Sequence, residues 1–202
     1  KASLKRDRLP YVYPYNTSLT TGGVLAVGGL GSATFKEGII ASHVDKLSVV
    51  TAAGDLLTCS EEHHPDLFKA CLSGAGLFGI IYDARFKLRP CGSNVYIQTL
   101  KYDDYELWLD DQLALNNDCD YLEAFMVNET PGNRQKECIM HLGIEYDTSP
   151  PDMAFIKKLH YAQLGETKKQ SIIDYTNCHD ARLNLMKETG AWSLVHPWYE
   201  CY

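Results

Sequence analysis

Leu19-Thr20-Thr21-Gly22-Gly23-Val24-Leu25-Ala26-Val27-Gly28-Gly29-Leu30-Gly31 is the stretch around which the rest of the chain is read. Five of its thirteen residues are glycine, interleaved with small apolar residues and two threonines. Glycine has no Cβ, so such a run lets main chain press against a flat or anionic ligand. The same letters suit tight turns between short strands, because glycine punctuates structure. Composition leaves both readings open, and the neighbours must decide.

Lys1 to Arg8 is basic and polar, a helix end or linker. Leu9 to Tyr15 holds two prolines and three tyrosines, and is expected to be extended. Downstream of the glycines, Val44 to Ala52 is rich in β-branched residues, and Leu56 to Cys59 resumes after Ala53-Gly54-Asp55. That predicts a β-hairpin turning at Gly54. Pro65 to Leu72 predicts a short helix with proline in its first turn and Phe68, Cys71 and Leu72 on its buried face. Gly74-Ala75-Gly76-Leu77-Phe78-Gly79 then leads into a strand from Ile80 to Leu88. After Cys91-Gly92-Ser93 the composition changes. Strands are expected at Val95–Leu100, Tyr121–Val127 and Cys138–Tyr146. Helices are expected at Asp103–Leu115, Asp152–His160 and about His179–Lys187. This order predicts a second, α+β layer beginning near residue 91.

The 202 residues are 45% hydrophobic and 22% charged, enough to bury a core. The net charge is −7, and basic residues cluster only at Lys1 to Arg8, so neither nucleic acid nor an anionic membrane is expected as partner. No apolar run reaches the ~20 residues that cross a bilayer. The seven cysteines are scattered, with no C-x-x-C pair, which argues against zinc and favours a reducing, cytoplasmic compartment. The chain opens on Lys1 and stops at Tyr202, and is expected to be a piece of something longer.

Several chemistries fail on spacing. Gly74, Gly76 and Gly79 spell G-x-G-x-x-G, but the dinucleotide fingerprint needs a strand before it and a helix after it, and here the expected order is reversed. A NAD-binding dehydrogenase therefore stands only as a weak alternative. No H-E-x-x-H or G-x-S-x-G segment is present, and no metal site is expected. Trp192 to Trp198 (WSLVHPW) reads either as a core cluster or as an aromatic wall for a flat ligand.

Taken together and in order, these segments resemble one family. Leu19-Thr20-Thr21-Gly22-Gly23-Val24-Leu25 is similar to the L-T-V-G-G-T-L segment of cytokinin dehydrogenases and their bacterial relatives. Leu47 to Thr51 through Ser60 resembles L-x-V-V-T-G-x-G-x-x-V-T-C-S. Asp66-Leu67-Phe68 through Gly79-Ile80-Ile81 resembles D-L-F-x-A-V-L-G-G-L-G-Q-F-G-I-I-T. Tyr102 to Gln112, Asp120-Tyr121-Leu122-Glu123 and His196-Pro197-Trp198 echo the substrate domain. The resemblance spans most of residues 9 to 202. It implies an α+β chain: part of an FAD-binding domain of the p-cresol-methylhydroxylase (vanillyl-alcohol-oxidase) type over 1–90, then the start of a substrate, or cap, domain over 91–202.

The resemblance also implies roles. Thr20, Thr21, Gly22, Gly23, Ala26 and Leu30 would line FAD, joined by Gly79 and Ile80 from the returning strand. Trp198 would lie near the substrate cavity. The reaction implied is transfer of a hydride from a small organic amine or alcohol to the flavin. One position departs from the family. Cytokinin dehydrogenases carry an aspartate seven residues before the glycine pair, and that position here is Tyr15. A tyrosine with its usual pKa of about 10 is a poor base at neutral pH. The expectation is therefore a substrate other than a cytokinin, with Tyr15 polarising the substrate or handling a proton. Against that stands a packing role for Tyr15 in an aromatic cluster with Tyr11 and Tyr13. A second alternative is a non-catalytic fragment or diverged remnant of such a flavoprotein.

Overall fold

The computed structural model describes residues 3–115, 117–128 and 136–191. The elements run β1 (Arg8–Pro10), α1 (Thr21–Ala26), α2 (Thr34–Glu37), β2 (Val44–Val50), β3 (Leu56–Cys59), α3 (Pro65–Cys71), β4 (Ile80–Phe86), β5 (Leu88–Pro90) and β6 (Asn94–Tyr102). They continue with α4 (Tyr105–Ala114), β7 (Tyr121–Asn128), β8 (Lys136–Tyr146), β9 (Gln163–Ser171), α5 (Ile172–Thr176) and α6 (Asp180–Glu188). Single 3-10 turns occupy Leu4–Arg6, Ile40–His43 and Ala154–Lys158.

Three antiparallel sheets result. β1 pairs with β5; β2 lies between β3 and β4; and the third sheet runs β7-β8-β6-β9. The expected hairpin is the β2–β3 pair, with Val50 opposite Leu56. The helix expected after it is α3, which buries Phe68 and Cys71 as predicted, whereas Leu72 is its half-buried C-cap.

Other expectations need correction. The glycine stretch forms neither strand-to-strand turns nor a flat run, but a short helix, α1, capped by Thr20. Asp152–His160 tightens into a 3-10 turn. Of Leu9–Tyr15, only the first two residues join a strand. β9 and α5 lie in sequence assigned to no element. β9 is polar apart from Leu164 and Gly165 and sits at a sheet edge, where no apolar alternation is imposed. α5 did carry a signal: Ser171 is its N-cap, accepting from the Asp174 amide, in an S-x-x-D pattern.

The four-stranded sheet has two different faces, because side chains alternate along each strand. One face carries Leu100 and Tyr102 of β6 with Met140 and Leu142 of β8, sealed by Trp108 of α4. Trp108 Nε1 also donates to the Ile139 carbonyl at 3.2 Å. Asp111 of α4, buried at 2% exposure, fastens this layer. It accepts from the Tyr102 hydroxyl at 2.8 Å and the His160 amide at 2.6 Å, and pairs with His160 Nδ1 at 2.8 Å. The opposite face is covered at one end only. There Val95 and Tyr121 join the core built by Leu25, Leu47, Val49, Cys59 and Phe68, together with Ile172 and Tyr175. The other end of that face is left to the candidate site.

Candidate functional site

The first wall of the site begins at Thr20. Its hydroxyl accepts from the Gly23 amide at 3.2 Å, which caps α1 and exposes Thr20 and Thr21. Gly22 faces the other way. A Cβ there would come within 2.9 Å of the Ile81 carbonyl, so its glycine permits helix and strand to touch. Gly31 serves the same purpose further on, where a side chain would strike the Tyr13 carbonyl. These two glycines answer to protein backbone, whereas Gly23 is exposed.

The Gly74–Gly79 loop is tied to the end of α1 by bonds from the Ser73 amide to Leu25 O at 2.9 Å and from the Ala75 amide to Ala26 O at 2.7 Å. Helix α3 precedes this loop and β4 follows it, an order without the helix start that a dinucleotide fingerprint uses. Gly79 is half-buried and Ile80 is 72% exposed, as Leu30 is at 63%. Ala26 is half-buried at the end of the helix. Thr20, Thr21, Gly22, Gly23, Ala26, Gly79 and Ile80 thus gather along one seam between α1 and β4. A cavity of about 580 Å³ opens along Leu9, Val12, Tyr13, Leu19 and Val24, and of the expected cofactor residues Thr21 alone lines it.

The second wall is the open end of the four-stranded sheet. The Leu122 amide donates to Ser32 O at 2.8 Å, which docks β7 just after the glycine stretch. Glu123, next along β7, is 15% exposed at its side chain and lies 3.4 Å from His179 Nε2. The Tyr175 hydroxyl lies 3.2 Å from Ser32 Oγ and 3.4 Å from Glu123 Oε1. Tyr15 meets His179 edge-on, ring centres 4.9 Å apart.

The three nearby tyrosines do not form one cluster. Tyr11 stacks on His43 at 4.6 Å and Tyr13 meets Tyr121 at 6.3 Å. Partial burial and then the Glu123 carboxylate push the Tyr15 phenol up from its ordinary value. Tyr15 therefore holds its proton at neutral pH and can donate a hydrogen bond. The Cys178 thiol and the Glu123 carboxylate, both hydrogen-bonding to His179, raise that imidazole to about 10. His141, opposite Glu123 in the β7–β8 register, is shifted the other way by burial. The site thus holds one cationic and one neutral histidine on either side of a carboxylate.

Sequence reasoning named Glu123 only within a motif, and left His141 and His179 unassigned. Their separation along the chain conceals a proximity that strand register and the α5–α6 turn create. Trp198 and the rest of Trp192–Trp198 lie outside the described residues. Among the described residues no three His, Cys, Asp or Glu side chains are placed to hold a metal ion.

Comparison places this architecture among oxidases. The chain superimposes on glucooligosaccharide oxidase from Acremonium strictum with a TM-score of 0.67 and 14% identity, over 87% of this chain and 38% of that one. It superimposes on 6-hydroxy-D-nicotine oxidase from Arthrobacter nicotinovorans with a TM-score of 0.65 and 20% identity, over 90% and 41%. The fold is thus the p-cresol-methylhydroxylase-type FAD-binding oxidase fold, in part. In sequence the chain is cytokinin dehydrogenase-like over nearly its whole length. It is 36% identical to cytokinin dehydrogenase 4 of Oryza sativa subsp. japonica, over 97% of the chain and 43% of that protein. It is 31% identical to an uncharacterized oxidoreductase of the fasciation locus of Rhodococcoides fascians, over 98% and 46%. The chain therefore spans less than half the length of these relatives. No protein-family model matches it.

Proposed function

We propose that the chain is part of an FAD-dependent oxidoreductase that removes hydride from a small organic amine or alcohol. The observation that carries this reading is the seam between α1 and β4. It presents hydroxyls and a bare glycine at Thr20, Thr21 and Gly23 beside Ile80, which is 72% exposed and follows the exposed Leu77 and Phe78 of the same loop. Apolar side chains so exposed and grouped mark a surface that binds something, and an isoalloxazine ring with a polar tail matches both halves of this one. Bound there, FAD would supply the hydride acceptor. Cytokinin dehydrogenases and two FAD-fold oxidases as relatives favour the same cofactor.

Within this reading, Thr20, Thr21, Gly22, Gly23, Ala26, Leu30, Gly79 and Ile80 line the cofactor. Tyr15, as a protonated phenol, polarises the substrate or passes it a hydrogen bond. Trp198 belongs to the substrate side. Residues 1–90 are part of the cofactor domain and 91–202 part of the cap. In favour of that division, β1 to β5 form two sheets before residue 91 and β6 to β9 form the third after it. The first core still draws Val95, Tyr121, Ile172 and Tyr175 from beyond the boundary, so the two parts pack firmly.

Among the described residues no helix is long and apolar enough to cross a membrane. Cys59, Cys71, Cys91, Cys119 and Cys178 are free thiols, and the scattered spacing of the cysteines is what favours a reducing, cytoplasmic compartment. The test is a visible absorption spectrum after incubation with FAD, for this chain alone and joined to the upstream sequence of its natural gene. A flavin band with the longer protein is expected. A longer protein that folds and stays colourless overturns the reading.

A further inference from the structure

Strand register brings three polar side chains of the open sheet face into one row. His141 on β8 lies opposite Thr99 on β6 and opposite Glu123 on β7. Thr99 Oγ1 and His141 Nδ1 are 2.8 Å apart. That bond fixes the ring and leaves Nε2 for another partner. Phe125, two residues beyond Glu123, sets its ring 5.3 Å from the His141 ring and is 39% exposed. The β7 and β8 carboxylates on this face are matched already: Glu123 by His179 at 3.4 Å, Glu137 by Lys101 Nζ at 2.6 Å and Glu145 by Arg89 Nη2 at 2.7 Å.

We propose that the Thr99–His141 pair is the substrate-recognition element of the site, and that it takes an uncharged hydroxyl carried by an unsaturated or aromatic group. This rests on the flavoprotein reading and favours alcohols over protonated amines within it. An ammonium group brings three donors and a charge, and in a desolvated site it needs a carboxylate to itself. The row offers a hydroxyl-anchored imidazole instead. A neutral imidazole presents either a donor or an acceptor at Nε2, according to its tautomer, and an alcohol can answer either. Burial keeps His141 neutral at physiological pH by lowering its pKa. Phe125 supplies a ring face for the unsaturated carbon next to the hydroxyl.

The experiment uses the chain as it stands, with benzyl alcohol and benzylamine as probes. It follows the His141 ring resonances by NMR and the probes by ligand-observed relaxation. Benzyl alcohol is expected to shift His141 saturably and to bind about tenfold more tightly than benzylamine, the margin that one satisfied buried hydrogen bond gives. Thr99→Val, which keeps the shape and releases the ring, is expected to abolish that preference. His141→Gln checks the same point from the probe side. Tighter binding of benzylamine, no response to either probe, or a preference unchanged in Thr99→Val overturns the proposal. The flavin spectrum separates the two readings. A colourless protein that still binds benzyl alcohol through His141 defeats the flavoprotein reading alone, whereas a yellow one whose His141 ignores the alcohol defeats only this one.

Discussion

Arg89 Nη2 lies 2.7 Å from Glu145 Oε1, and this ion pair joins β5, the strand that closes the two-stranded sheet, to β8 at the centre of the four-stranded one. Arg89 also donates to Glu145 Oε2 at 3.1 Å and to the Tyr121 hydroxyl at 3.1 Å. Tyr121 donates to the same carboxylate, and the Gly92 amide donates to it at 2.9 Å. The two charged side chains are 16% and 10% exposed, so the pair is mostly desolvated. Removing one partner strands the other charge. Arg89→Ala is expected to cost about 3 kcal/mol, read from the midpoint of urea unfolding. A loss below ~1 kcal/mol would place the pair with ordinary surface bridges.

Glu145 is expected to contribute to stability at acid pH. Burial alone would raise its pKa, but hydrogen bonds from Arg89, Tyr121 and Gly92 and the Arg89 charge hold it below its ordinary 4.5. A carboxylate depressed in the folded state binds fewer protons than the unfolded chain between the two values, so stability rises with pH there. The contribution is complete above about 4.5 and is lost as pH falls through the folded value. Thermal unfolding from pH 6 downward is expected to show a steeper fall for the native chain than for Glu145→Gln. Parallel curves would assign the acid limit to other groups.

His179 acts in the opposite sense. Its pKa is raised from 6.5 to about 10, so the stability that it contributes is complete below 6.5 and is lost as pH rises towards 10. His179→Asn is expected to flatten the alkaline limb of a stability profile between pH 7 and 10. Titration of the His179 ring by NMR tests the same claim directly, and an ordinary midpoint near 6.5 contradicts it.

Gly22→Ala separates packing from ligand contact along the α1–β4 seam. The added methyl would meet the Ile81 carbonyl at 2.9 Å, a backbone atom that can yield only by moving the strand. A loss of about 1–3 kcal/mol is expected. Thr20→Ala, which removes the α1 cap, should cost about 1 kcal/mol. Thr20→Ser should restore it, as denaturant midpoints will show.

Tyr15→Phe tests the residue proposed to polarise the substrate. In the longer flavin-loaded protein, stopped-flow reduction by substrate is expected to slow about tenfold, the effect of one hydrogen bond worth ~1.4 kcal/mol at the transition state. An unchanged rate returns Tyr15 to packing against His179.

Local patterns in the sequence were enough for much of the frame. The β2–β3 hairpin follows from a β-branched run and a second, short run resuming after Gly54, and α3 from Pro65 and the buried spacing of Phe68 and Cys71. The reversed order around Gly74–Gly79 set aside a dinucleotide fingerprint, and the shared order of several motifs pointed to the FAD-binding fold. These signals are short-range, and each is set by backbone propensity or by burial on one face. Tertiary structure alone decided what α1 and the open sheet face are for. That Gly22 leans on Ile81 depends on how β4 returns beside a helix nearly sixty positions upstream. The Thr99–His141–Glu123 row depends on the register of three strands, and Tyr15 reaches His179 only because the chain closes over 164 positions. Such contacts are fixed by the packing of a common core, which residue order does not display.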